Sequence, residues 1–307
     1  MTGAKGTSPV QTGEELRGIV FVTLSAVTWS FGGAIARFLD VADPWTVVFW
    51  RSASAFLFLA CFMLWRDGAR GTVRLFLEMG LPGLFVGLCF ATASTSFIVA
   101  LQYTTVANIL LMGAGVPLIA AAISWLFFRE HVTPATWAAI AAVIAGVAVM
   151  VSDSLSGKVS PVGDGLALVI ALAFASATVT TRRRADLRMT PAVCFGTVLS
   201  AGFASILAGG FAVAARDGGL LFLFGAANLG LGLALFVTGA RLVPSAIAAL
   251  IGTIETILGP FWVWLAHNET PTARTVAGGG IILAALLAHI FWQIRQQHAV
   301  RMSVPGP

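Results

Sequence analysis

Ten apolar stretches of about twenty residues occupy almost the whole chain, and the segments between them are short. A bilayer core about 30 Å thick needs a helix of about 20 residues to cross it. Backbone polar groups in lipid must satisfy one another, so runs of this length are read as helices. A β-barrel would instead show short alternating segments. No stretch is left over for a soluble catalytic domain. The expected fold is therefore an all-α membrane protein of ten transmembrane helices.

Composition narrows the partners. The mean hydropathy is +0.92, and only 10% of the 307 residues are charged. The net charge of +5 would suit nucleic acid if its basic residues clustered, but they sit in short loops between spans. The rule that short cytoplasmic loops carry Lys and Arg explains them better. With the N-terminus inside, thirteen basic residues fall on the inner side and four (Arg37, Lys158, Arg216, Arg274) on the outer, with Arg51 inside a span. Both termini are therefore expected in the cytoplasm of a bacterial-type inner membrane. Trp65, Trp125, Trp137 and Trp292 form an inner aromatic belt, and Trp45, Tyr103, Trp262 and Trp264 an outer one. Trp29 and Trp50 fit neither. Cys61, Cys89 and Cys194 all lie in apolar runs and read as small buried hydrophobes. The polar N-terminus lacks a signal-peptide core, so the first span is expected to act as its own signal.

The spans are placed at 17–38, 45–65, 75–100, 104–128, 134–152, 162–181, 191–214, 219–240, 244–266 and 272–293. Six of them begin at or just after a proline, where the missing N–H costs nothing. Pro82, Pro117 and Pro260 lie inside spans and predict kinks. Residues 100–130 and 239–269 look alike. Each opens with a polar break, runs through an apolar helix and ends in glutamate (Glu130, Glu269), followed by Thr-Pro. One more span follows each. The expected organisation is a tail at 1–16, a five-helix repeat at 17–152, a linker at 153–161, a second repeat at 162–293 and a tail at 294–307. Five is odd, so the second repeat enters from the opposite side. Inverted pairs of this kind build transporters with a site at the repeat interface.

The segment Ala100-Leu101-x-Tyr103-Thr104, with Ala107, Pro117 and Glu130-x-x-Thr133, resembles the EamA-type signature of the drug/metabolite transporter superfamily. Within it the chain is most similar to the YddG-type aromatic amino-acid exporters. The resemblance implies a central cavity lined by helices 1, 3, 4, 6, 8 and 9, with 2, 5, 7 and 10 outside, and outward movement of amino acids and some aromatic cations. Many relatives carry Glu-Pro in span 9. Here Glu255 precedes Thr256, and proline waits until Pro260.

Polar side chains concentrate in the spans the resemblance places around the path. Facing lipid they would be costly, so they are expected to face water or other helices. Glu255 lies near the middle of span 9, where an ionised carboxylate costs about 2.5 kcal/mol or more. It is the candidate to meet a substrate amino group or a proton. Trp29 offers a flat ring for an aromatic group or an ammonium. Ser94, Asn108 and Asn228 complete the candidate substrate-binding set. For each, helix–helix hydrogen bonding is the competing reading. Arg51 reads as a structural residue able to snorkel to the outer surface. Glu130 and Glu269 read as helix-end caps or gate contacts, and His289 as a packing residue. No His/Cys pair has metal-ligand spacing and no Walker-type loop is present, so no cofactor and no catalysis are expected. The expected partners are a small-molecule substrate, the bilayer and, as a coupling ion, protons, with no nucleic acid. The expected function is export of amino acids or related metabolites by alternating access. A nucleobase, sugar derivative or organic cation is the alternative substrate, and a channel or structural subunit the alternative class.

Overall fold

The computed structural model describes residues 9–303, apart from 131, 156–159, 185, 241 and 244. Among the described residues every regular element is helical. The first half contains α1 (Pro9–Ser30), α2 (Gly32–Arg37), α3 (Pro44–Glu78), α4 (Gly80–Ala100), α5 (Val106–Gly113), α6 (Val116–Phe128) and α7 (Pro134–Leu155). The second contains α8 (Pro161–Arg183), α9 (Thr190–Leu207), α10 (Ala215–Phe222), a π-helical stretch (Leu223–Leu231), α11 (Gly232–Gly239), α12 (Ser245–His267) and α13 (Ala273–Ser303).

Eight helical units are long and apolar enough to cross a membrane. The bent pair α5–α6, with 44° between its halves, makes a ninth. The remaining expected span coincides with α12, a continuous 23-residue helix that holds Pro260. This is a multi-pass membrane protein, as the apolar runs require.

The packing treats the two halves as equivalents. α3 packs on α9, and α7 on α13. The contact of α4 with α8 is answered by that of α1 with α11, and α4 on α9 by α3 on the π-helical stretch. The α6–α8 contact is likewise answered by α1–α12. The crossing of α7 and α13 is reciprocal in detail. A Cβ on Gly146 would strike the Gly278 carbonyl, and one on Gly278 the Gly146 carbonyl. Without a hydrophobic drive between helices in lipid, such backbone contact supplies the attraction.

Local chemistry sets the breaks. Asp43 caps α3, accepting from the Trp45 and Thr46 amides at 3.1 and 3.2 Å, with Pro44 at the first turn. Gly68 (φ 69°) breaks α3, and Gly80 (φ 53°) separates it from α4. Both conformations are left-handed and suit glycine. Residues 69–79 thus form a short helical segment with Val73 and Leu77 exposed, and the span expected at 75–100 begins only at Gly80. Pro82 falls in its first turn, where it causes no kink. The span expected at 191–214 ends at Leu207. The following loop is tied down instead: Asp43 accepts from the Gly209 amide, and Thr46 and Trp50 donate to the Gly210 and Phe211 carbonyls. The expected tails are helical further out, since α1 starts at Pro9 and α13 runs to Ser303. Part of the expected linker, 156–159, lies outside the described residues. Cys89 and Cys194 are buried as expected, but Cys61 is exposed on α3.

Candidate functional site

The elements converge on the break between α1 and α2. α1 ends at Ser30 and α2 starts at Gly32, so Phe31 alone interrupts the helix, and carbonyls at such a break need partners. Uncovered, each would cost several kcal/mol. Asn228, from the π-helical stretch, donates its side-chain amide to the Thr28 carbonyl at 2.5 Å and more weakly to Trp29 at 3.4 Å. Gly32 admits the Asn228 amide, since a Cβ there would stand 3.0 Å from Oδ1. Trp262 of α12 donates from Nε1 to Ser30 Oγ at 3.0 Å, and its ring stacks on Phe31 at 4.9 Å. Gly259 lets α12 close on Leu110 and the Ser30 carbonyl, and Gly33 does the same for Val106. Four spans therefore meet at one single-residue helix break. Trp262, expected in an aromatic belt, is turned inward by that hydrogen bond.

The expected binding residues are distributed as follows. Asn228 supports the break. Asn108 is buried and donates to Thr104 Oγ1 at 3.0 Å and to Asp164 Oδ1 at 2.6 Å, joining α5 to the first turn of α8. Trp29 packs against Phe236 at 5.3 Å, with its buried Nε1 against Gly232 and without a hydrogen-bond partner among the described residues. Ser94 accepts from Arg51 at 2.8 Å. Glu255 is half-buried on α12, and no described side chain pairs with it. It lies one helical turn from Gly259, where α12 packs tightly, and three residues after Gly252, where a Cβ would meet nothing within 4 Å. Many hydroxyls in spans bond back to their own helix, as Thr28, Ser176, Thr178 and Thr180 do. Ser25 instead reaches the Gly232 carbonyl at 2.8 Å. His289 accepts or donates at Thr136 Oγ1 over 2.8 Å, tying α7 to α13.

Arg51 does not snorkel. It is 6% exposed and held between two rings, with its guanidinium carbon 4.4 Å from the Phe224 centroid and 5.7 Å from that of Phe97.

The two span-ending glutamates form repeat-equivalent ion pairs in unequal settings. Arg37, at the end of α2, donates to Glu269 at 2.8 Å, and to the Leu101 and Thr104 carbonyls at 2.9 and 3.2 Å. Glu269 also accepts from the Val106 amide at 2.9 Å, capping α5. Its counterpart joins Arg183, at the end of α8, to Glu130 at 2.9 Å. The Arg37–Glu269 side chains are 29% and 18% exposed, and those of Arg183–Glu130 are 40% and 50%. The first pair stitches four segments together, whereas the second is a single solvated bridge with Arg183 over Phe128. Sequence reading missed Asp164, the arginine partners and the inward Trp262. The repeat of the glutamates at equivalent places was the available signal for the two pairs.

Comparison with known proteins bears on this arrangement. The chain is 28% identical over 278 residues to the pseudopaline exporter CntI of Pseudomonas aeruginosa, in two strains, covering 88% of this chain and 95% of the relative. One solved crystal structure superposes with a TM-score of 0.63 over 90% of this chain and 96% of its own. At 16% identity that likeness speaks for the fold alone. The model of the EamA-like transporter family matches twice, over residues 16–152 and 161–291, so its repeat falls on the two halves described above. With most of its length matched in this way, the chain belongs to the EamA-like transporter family.

Proposed function

We propose that this protein is a secondary transporter that exports a small amphipathic metabolite by alternating access, an amino acid being the class its polar residues suit best. In this reading the protein has ten spans, and the Arg37 face is external. The Arg183 face and both termini are cytoplasmic, and the repeats are inverted, as in the YddG-type exporters the sequence resembles. The name of the pseudopaline exporter supports outward transport of a metabolite.

The observation that carries the proposal is the inequality of the two equivalent ion pairs. A static scaffold has no reason to place one closure at each end and draw only one tight. A protein that opens alternately has two such closures and engages one at a time. The conformation described is then the one sealed externally. Glu255, half-buried on α12, would in this reading meet a substrate ammonium arriving from inside.

Counterflow in proteoliposomes tests this. Vesicles preloaded with unlabelled phenylalanine should accumulate labelled phenylalanine transiently, as exchange on one alternating site requires. Flux that never saturates and is indifferent to internal amino acid would identify a channel and refute the proposal.

A further inference from the structure

We propose that Arg51 receives the anionic end, a carboxylate, of the transported molecule. This assignment rests on the transport reading above and names one pole of the substrate it requires.

Arg51 lies seven residues past the start of α3, about 10 Å along the helix axis. The resemblance puts span 2 outside the cavity ring, but the buried guanidinium of Arg51 reaches inward to α4 and the π-helical stretch, which belong to spans 3 and 8 of that ring. Guanidinium offers five N–H donors in a fixed fork. Here Nη1 is engaged by Ser94, through Oγ at 2.8 Å and the carbonyl at 3.5 Å. Nε is buried and has no hydrogen-bond partner among the described residues. None of the ion pairs among the described residues includes Arg51.

A cation that serves only structure inside a membrane is paired with a carboxylate or tied to several carbonyls. Arg51 has neither arrangement. Two aromatic faces steady its charge without consuming its donors, since cation–π contact acts through the ring face. The result is a positive group held in place with hydrogen-bonding capacity left over. That is the state expected of a binding residue whose ligand supplies the missing acceptors.

Its surroundings point the same way. Phe224, which stacks on the guanidinium, also faces the α1–α2 break: a Cβ on Gly32 would lie 3.5 Å from its ring edge. One ring therefore separates Arg51 from the place where four spans meet. Gly225, next to Phe224, packs directly on the Arg51 carbonyl and Ser94 holds one fork arm, so both backbone and side chain are fixed. Among the described residues no carboxylate stands within ion-pair distance of the guanidinium. A single guanidinium suits a singly charged carboxylate better than a polyphosphate, which needs several cations.

The test compares labelled L-phenylalanine with L-phenylalaninamide, which keeps the ring and amine and loses the carboxylate. Proteoliposomes would carry the intact protein, Arg51→Gln or Arg51→Lys, each checked for a monodisperse elution profile. The phenylalanine-to-amide flux ratio should fall at least tenfold in Arg51→Gln and recover in part in Arg51→Lys. A parallel fall for both compounds, or an unchanged ratio, would mark Arg51 as a packing residue and overturn the assignment. If the unsubstituted protein moves neither compound, the amino-acid reading fails and a second measurement decides Arg51 separately. Native labelling with phenylglyoxal, mapped by mass spectrometry, should modify Arg51 and be slowed by phenylacetate but not by benzyl alcohol. An arginine that stays unreactive until denaturation, or that phenylacetate does not protect, overturns the proposal.

Discussion

Removing one charge from the Arg37–Glu269 closure should open that face. In Glu269→Gln the ion pair is lost, and the cap on the Val106 amide is weakened. Charged hydrogen bonds contribute about 1.5–3 kcal/mol when well shielded, and exposed pairs at most about 1 kcal/mol. Arg37 is 29% exposed and Glu269 18%, which places the loss near 2 kcal/mol. That corresponds to a shift of about 30-fold in the closed-to-open equilibrium. The equivalent change at the other face, Glu130→Gln, removes a bridge whose members are 40% and 50% exposed, worth under about 1 kcal/mol and fivefold at most. The readout is the rate at which a membrane-impermeant maleimide, added from the Arg37 side, modifies a cysteine placed at Ala34. That position is 7% exposed and one turn below Arg37. Cys61, Cys89 and Cys194 are first replaced with alanine. Glu269→Gln should raise the rate by more than tenfold, and Glu130→Gln should leave it unchanged or lower it. Equal rates in both variants, or a larger rise in Glu130→Gln, would refute the reasoning.

Three further outcomes are expected. Glu255→Gln should lower flux and flatten its dependence on pH, whereas an unchanged pH profile in transport assays would reduce Glu255 to a helix contact. Gly278→Val drives a side chain into the Gly146 carbonyl at the α7–α13 crossing and should cost about 1–3 kcal/mol. It should be seen as a lower thermal midpoint in detergent, while Gly280→Ala, where a Cβ meets nothing within 4 Å, should leave the midpoint unmoved. At Asp43, burial raises the carboxyl pKa but is outweighed by hydrogen bonds from the Thr46 hydroxyl and the Gly209, Trp45 and Thr46 amides, so the folded value lies below the ordinary 3.8. Its stabilisation is full above about pH 4 and fades as the pH falls through the folded value. Asp43→Ala should therefore lower the melting temperature at pH 6, by about 1 kcal/mol of capping energy, and the gap should narrow only in stronger acid.

The membrane class was legible because lipid tolerates few backbone arrangements, and runs of apolar residues leave little choice. The duplicated segment ending in Glu130 and Glu269 was visible for a similar reason, since both copies keep their polar break and their Thr-Pro exit. Other features were hidden by the same averaging that made the spans plain. Val73, Leu75, Phe76 and Leu77 are apolar enough to look like the start of a span, and the left-handed turns at Gly68 and Gly80 that separate them have no hydropathy of their own. Trp262 has the spacing of a belt residue, and a hydrogen bond to Ser30, 232 residues away, turns it inward. Asn108 looked available because its partner Asp164 is 56 residues distant. Arg51 lies near enough to a span end to escape to water, and the two rings that hold it come from different helices.

The wide turns between Leu223 and Leu231 fix the angular phase of everything that follows them. Early in that stretch Gly225 meets α3, and three residues on Asn228 meets the α1–α2 break; beyond it Gly232 and Gly239 meet Trp29 and Phe21 of α1. An ordinary helix of the same length would rotate these contacts out of alignment. Residue count in this stretch is therefore as constrained as residue identity. A one-residue deletion there would be more disruptive than many substitutions, even though it removed only an apolar side chain.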